Sequence, residues 1–199
     1  MLFLLFGSAG VGKTVALDTL RRRRLPTIAI HDFDEIGVPP RADIAWRQRG
    51  NEHWLRRALD YEADRVDLVL ARQTPPGELL ATPSAPLVEA ISACLVDCDD
   101  ETRLARLRPR GRAQLGRMDA RACGRPELAN GGDHAARDGV EMRWERWSDW
   151  TADDPRWRVR VLDTTTLAVG EVADELVNWI VEERAVVQSG EHPLLRWAR

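Results

Sequence analysis

One eight-residue stretch constrains this 199-residue chain more than any other feature. Gly7-Ser8-Ala9-Gly10-Val11-Gly12-Lys13-Thr14 satisfies the pattern GxxxxGK[ST] at every position. It follows an unbroken apolar run, residues 2–6, which reads as a strand buried on both faces. It opens a helical pattern over residues 13–24, with Val15, Ala16, Leu17 and Leu20 apolar and Arg21 to Arg24 at the end where cations complement the helix dipole. Glycines in such a loop let successive backbone N–H groups curl around phosphate oxygens, and the following helix aims its positive end at the same anion. Lys13 then reaches the β- and γ-phosphates of a nucleoside triphosphate, and the Thr14 hydroxyl is placed to ligate Mg2+. The plainer alternative is a glycine-rich turn with a surface lysine. Composition argues against it: 28 of the 29 basic residues are arginine, so the single lysine sits where a guanidinium does not substitute.

Short apolar runs at residues 27–30, 66–70, 93–96 and 159–162 read as four further strands, and helical patterns fill the intervals at about 41–64, 84–92, 100–108, 136–150 and 169–185. This alternation predicts an α/β fold in one domain over residues 1–199, a three-layer sandwich with a five-stranded parallel sheet and helices on both faces. Residues 109–135 are rich in Arg, Gly and Ala without apolar periodicity, which predicts a mobile lid. Trp144, Trp147 and Trp150, with Trp157 beyond them, predict a helix face packed on the domain in preference to a binding surface. A chain of this length with 44% hydrophobic residues buries a core without staples. Its three cysteines, Cys94, Cys98 and Cys123, are odd in number and lack a zinc spacing, which fits a reducing cytoplasm. The N-terminal apolar run is too short to span a bilayer and has no basic leader, so neither export nor a membrane partner is expected. A net charge of −3 argues against a dedicated nucleic-acid binder.

His31-Asp32-Phe33-Asp34-Glu35 follows the second strand and puts an Asp-x-Asp pair at its carboxyl end, where ligands collect in open α/β sheets. One carboxylate is suited to hold Mg2+ through water and the other to accept a proton from an acceptor hydroxyl. The alternative for the same residues is a solvated turn with a helix N-cap. His31 reads as structural. An ordinary GTPase is excluded, because its Asn-Lys-x-Asp base-recognition motif cannot exist in a chain whose only lysine is Lys13.

Taken with two further stretches, the chain resembles the small P-loop kinases, the group of shikimate kinase, gluconate kinase, adenylate kinase and chloramphenicol phosphotransferase. The resemblance rests on Gly7 to Thr14 (the Walker A motif), on Asp32 and Asp34, on Leu95-Val96-Asp97 followed by Arg103-Leu104-Ala105-Arg106-Leu107-Arg108-Pro109-Arg110-Gly111, and on Leu162-Asp163-Thr164-Thr165 before the last helix. It implies that Asp32 helps to organise Mg2+ and that Asp34 contacts the acceptor hydroxyl. It further implies that Arg106 and Arg110, flanked by Arg112 and Arg117, cover the adenine of ATP or the transferring phosphoryl group from a closing lid, with Asp163, Thr164 and Thr165 beside the base. In this group the segment between the second and third strands, residues 37–64 here, builds the acceptor site.

The chain departs from the group at its third strand, which ends Val69-Leu70-Ala71-Arg72-Gln73 without the terminal carboxylate of a Walker B strand, leaving metal organisation to Thr14 and Asp32. Arg72 and Gln73 then stand where they can hydrogen-bond an acceptor. The acceptor segment carries Trp46, Arg47, Arg49, His53, Trp54, Arg56 and Arg57, of which Trp46, Arg47 and Arg56 are the candidates for flanking a ring or a phosphate. Trp46 and Trp54, eight apart, fit a shared helix face and equally a core role. The leading expectation is an ATP- and Mg2+-dependent phosphotransferase acting on a small hydroxyl-bearing or nucleotide-like acceptor. Its rival is a nucleotide-binding module or slow ATPase that controls a protein partner, favoured by the missing carboxylate and by the C-terminal stretch with Leu194, Leu195 and Trp197. A nucleic-acid end kinase ranks last because the net charge is negative.

Overall fold

The structure, a computed structural model, describes residues 1–73, 76–110, 140–147 and 159–190. Strands β1 (Leu2–Phe6), β2 (Ile28–Asp32), β3 (Asp67–Arg72), β4 (Ile91–Asp97) and β5 (Val159–Asp163) form one parallel sheet in the order β2-β3-β1-β4-β5. Helices α1 (Lys13–Arg23), α2 (Ile44–Ala63), α3 (Pro76–Leu80), α4 (Asp100–Leu107) and α5 (Val169–Gln188) connect and cover it.

The apolar run that opens the chain forms the central strand because every one of its residues has a hydrophobic layer to enter. Side chains alternate across a strand. Leu2, Leu4 and Phe6 join Trp54 and Leu55 of α2 and Leu79 and Leu80 of α3 on one face, while Phe3 and Leu5 meet Leu17 and Leu20 of α1 and Leu176 and Trp179 of α5 on the other. The Phe3 and Trp179 rings meet edge to face, 5.2 Å between centroids. This is the expected three-layer α/β architecture.

Register brings the strand ends level. Phe6 pairs with Arg72, and Asp32 pairs with Ala71, so the chain leaves β1, β2 and β3 at one rim of the sheet. On α2, Trp46, Gly50 and Trp54 recur every four residues and form one stripe. That stripe seats the 3-10 turn Phe33–Ile36: the Trp46 and Phe33 rings meet at 5.7 Å, and the Trp54 indole Nε1–H donates to the Phe33 carbonyl at 3.1 Å. A Cβ at position 50 would lie 2.6 Å from Phe33 Cζ and 2.8 Å from Ile36 Cδ1. Gly50→Ala is therefore expected to destabilise the protein by about 1–3 kcal/mol through overpacking. That outweighs the gain of about 1 kcal/mol in helix propensity. A urea titration checks it, with a lower midpoint at unchanged slope.

Two local expectations need correction, and one helix was not expected. Residues 84–92 are not a helix: a 3-10 turn covers Ala85–Leu87, Val88 is extended, and β4 already begins at Ile91. Successive i to i+3 bonds, Ala85 N to Thr82 O and Leu87 N to Ser84 O, wind the chain tightly here, and Pro86 withholds a donor. The apolar residues Ala85, Val88 and Ala90 are buried from this irregular path, which is why their spacing resembled a helix. Within the expected 136–150 helix, the described residues 140–143 are not helical and Trp144–Trp147 is a 3-10 turn; the remainder, with Trp150 and Trp157, lies outside the described residues. Helix α3, which starts on Pro76 as prolines favour, was not anticipated. Nearly all of the expected 109–135 lid, with Arg112 and Arg117, Cys123 and the tail beyond residue 190 also lie outside the described residues. No helix among the described residues is long and apolar enough to cross a membrane.

Candidate active site

The Gly7–Thr14 loop closes tightly on its neighbours. A Cβ on Gly7 would stand 2.2 Å from the Val96 carbonyl of β4, so no other residue lets the loop leave β1 at this point. Gly12 is the N-cap of α1, whose axis then points its positive end at the loop. The Lys13 ammonium donates to the carbonyls of Gly7 and Ser8, both at 2.7 Å, and so lies across the loop. Val11 is fully buried and its carbonyl accepts the Thr164 hydroxyl at 2.8 Å, tying the loop to the end of β5. Ser8 is buried as well, with Arg103 Nη1 at 3.4 Å from its hydroxyl.

Two cavities meet at this loop. The first, about 390 Å3, is walled by Ala9, Gly10, Gly12, Lys13 and Thr14, and opposite them by Asp32, Phe33, Asp34, Trp46, Arg47, Arg72 and Gln73. Asp32 ends β2 and caps the following turn: its Oδ1 accepts the Asp34 amide at 3.1 Å, and Glu35 returns to the Asp32 amide at 3.1 Å. The turn with an N-cap and the ligand-facing acidic pair, set out above as alternatives, are thus one structure. Burial raises the Asp34 carboxyl above the ordinary carboxylate range, Asp32 adds repulsion in the same direction, and Lys13 pulls it back. Burial alone would raise Glu35 too, but the hydrogen bonds from His31 and the Asp32 amide, with the charges of His31 and Arg21, hold it lower than usual.

The far wall is basic. Arg47 clasps Glu78 of α3 with Nε at 2.6 Å and Nη2 at 3.0 Å, a two-point ion pair that sequence inspection missed because Glu78 belongs to the unanticipated helix. Arg72 is buried, and its guanidinium lies 5.7 Å above the Phe33 ring. Burial pushes Arg72 down to about 10, with Glu78 acting upward and Arg47 downward, so it stays charged at neutral pH. Arg56 does not reach this cavity; it is exposed and pairs with Glu52 at 2.9 Å. Trp54 is core. Phe33, Val38 and Ala42 line the cavity without having been singled out. An apolar residue between two aspartates was the available signal for Phe33.

The second cavity, about 260 Å3, lies on the other side of the loop among Gly10, Val11, Gly12, Val15, Ala16, Arg106, Thr164, Leu167, Val169 and Val172. Arg106 belongs to α4 and not to a lid: Nη1 donates to the Thr164 hydroxyl at 3.0 Å and Nη2 to the Thr164 carbonyl at 2.8 Å, which fixes its plane against the wall. Of the three residues after Leu162, only Thr164 lines the cavity. Asp163 is exposed, its carboxyl lowered by hydrogen bonds from Thr165, and the Thr165 hydroxyl accepts the Asp99 amide at 2.9 Å. The Arg110 side chain lies outside the described residues. Among the described residues, no three His, Cys, Asp or Glu side chains converge into a metal-binding group.

No protein-family model matches the sequence, and no curated protein matches it either. Solved structures do match the fold. A gluconokinase from Sinorhizobium meliloti 1021 superposes with a TM-score of 0.54 at 15% identity, covering 96% of this chain and 97% of that one. The protein APE1195 superposes with a TM-score of 0.54 at 16% identity, covering 92% and 95%. The parallel sheet order, the glycine loop after its central strand and these superpositions together give the chain the small P-loop kinase fold.

Proposed function

We propose that the chain is an ATP- and Mg2+-dependent phosphotransferase acting in the cytoplasm on a small hydroxyl-bearing acceptor. The observation that carries this reading is one cavity in which Lys13 and Thr14 face Asp34, Trp46 and Arg72. A phosphoryl donor held by the loop and an acceptor held by the opposite wall would share that space, with the transferring group between them.

The base of the nucleotide fits the second cavity, whose apolar walls and fixed Arg106 guanidinium offer faces for stacking. The loop amides and Lys13 would bind the polyphosphate tail and stabilise charge on the transferring group. The Thr14 hydroxyl and the Asp32 carboxylate are hard oxygen donors of the kind Mg2+ takes, and Asp32 spends only Oδ1 on its own turn. When bound, Mg2+ supplies neutralisation of the phosphate oxygens. Asp34, raised by burial and so a stronger base than an ordinary carboxylate, would accept the proton of the acceptor hydroxyl. Arg47, Arg72 and Gln73 would surround the remainder of the acceptor and offer it hydrogen-bond donors. The resemblance to the small kinases gives Arg110 the part of meeting the transferring group.

Incubation with ATP, Mg2+ and a pooled metabolite extract, followed by mass spectrometry, tests the reading. A species heavier by one phosphoryl group, absent without protein, is expected. Hydrolysis alone, indifferent to the extract, would instead favour the regulatory nucleotide-binding module, the reading supported by the arginine and glutamine that replace a carboxylate at the end of β3.

A further inference from the structure

The steps above leave unused a cluster behind the acidic turn. The His31 ring stands between two aromatic rings, with Trp54 at 5.0 Å and Tyr61 stacked on it at 5.9 Å. Both of its nitrogens are engaged: Nδ1 lies 2.6 Å from Glu35 Oε2, and Nε2 lies 2.9 Å from the Tyr61 hydroxyl. Glu35 uses its other oxygen, Oε1, to accept the Asp32 amide and to pair with Arg21. Asp32 Oδ1 in turn accepts the Asp34 amide. An unbroken chain of bonds therefore runs from His31 through Glu35 and Asp32 to the backbone of Asp34. On its outer side, the guanidinium of Arg57 sits 5.1 Å over the Tyr61 ring.

The direction of the bonds follows from their partners. Glu35 is ionised and only accepts, so Nδ1 carries a proton and donates, while Nε2 meets the tyrosine hydroxyl, which can donate or accept. A partly exposed glutamate capping a one-turn 3-10 helix has several rotamers available and would hold the Asp32 amide only part of the time. Arg21 holds Oε1 from the exposed side, and His31 removes the freedom that remains at Oε2, because the neighbouring rings fix its plane and the plane fixes where Nδ1 points. We infer that His31 is a positioning residue, which locks Glu35 into the capping box through Nδ1 and thereby holds Asp34 at the angle that phosphoryl transfer requires. The inference rests on the role given to Asp34 above.

Asparagine and glutamine separate this role from simple packing. The side-chain N–H of asparagine reaches about as far as Nδ1, whereas glutamine extends to the position of Nε2. His31→Asn is therefore expected to keep the bond to Glu35 and most of the turnover, and His31→Gln to lose the bond while filling more of the space. For His31→Gln, kcat should fall by about ten- to a hundredfold with KM for ATP unchanged, the cost of a misplaced reacting group. Glu35→Gln should behave like His31→Gln, and the double variant should be no worse than either single one. Amide hydrogen exchange on the nucleotide-free proteins supplies a readout that needs no activity: the Asp32 and Asp34 amides should lose protection in His31→Gln and keep it in His31→Asn. Equal protection in the two variants overturns the inference, as does an equal fall in kcat. If exchange separates the variants but the wild-type protein transfers phosphate to nothing, the positioning of the turn stands and the phosphotransferase reading is what fails.

Discussion

Replacing Lys13 by alanine is expected to abolish uptake of Mg2+–ATP in calorimetry and to lower phosphoryl transfer by about a thousandfold or more, the scale of losing a preorganised charge at the transferring group. The ammonium has two tasks. It lies 2.7 Å from the Gly7 and Ser8 carbonyls, and so holds together two oxygens that would otherwise repel across the mouth of the loop. It also pulls the Asp34 carboxyl toward its ordinary range, a sign that its charge is felt across the cavity. Lys13→Arg is expected to restore little. A guanidinium is flat and wide, with its donors in one plane, whereas a compact ammonium can touch two carbonyls and still turn a third donor toward a phosphate. Full nucleotide uptake by the alanine variant would remove the phosphate site from this account.

The glycine loop was legible in the sequence because its constraint is local. A loop that wraps an anion needs glycine at fixed offsets, a strand before it and a helix after it, and all three are contiguous between residues 2 and 24. The central strand was legible for a related reason: buried on both faces, it has no polar alternation to blur it. What sequence could not show depends on partners far along the chain. Glu78 meets Arg47 across 31 residues, and its helix is only five residues long, too short to have a period. Arg56 lies nine residues beyond the cavity-lining Arg47, two and a half helical turns, so it stands on the opposite face of α2 and pairs with Glu52, four residues before it. Arg106 was expected on a lid through the resemblance to the small kinases, but its guanidinium is anchored on Thr164, which follows β5, some 58 residues later. The capping box at Asp32–Glu35 was present in the sequence as a cap and as an acidic pair, two readings with the same residues. Only the stripe of Trp46, Gly50 and Trp54, which seats the turn beside the loop, makes them compatible.

Because that turn is a cap and, in the proposed reaction, also carries the proton acceptor, substitution of Asp34 is expected to move stability and activity in opposite directions. Burial and the Asp32 charge raise the Asp34 carboxyl in the folded protein, with Lys13 opposing them. A group raised on folding binds its proton more tightly folded than unfolded, so its favourable contribution is complete below the unfolded-state value and is lost as pH rises through the folded one. At neutral pH the ionised Asp34 is thus a cost to the metal-free protein. Asp34→Asn keeps the backbone amide that Asp32 caps and removes the charge. Its urea midpoint at neutral pH should exceed that of the wild type, and the difference should shrink in acid as the native aspartate takes up its proton. Acceptor phosphorylation should fall by about 10²–10⁴-fold with Mg2+–ATP binding retained, because the amide cannot take the hydroxyl proton. A variant that lost stability and activity together would make Asp34 a structural residue, and the proton acceptor would have to be sought elsewhere on the same wall. Gain of the one with loss of the other is the pattern of a carboxylate held in an unfavourable place for the reaction that it serves.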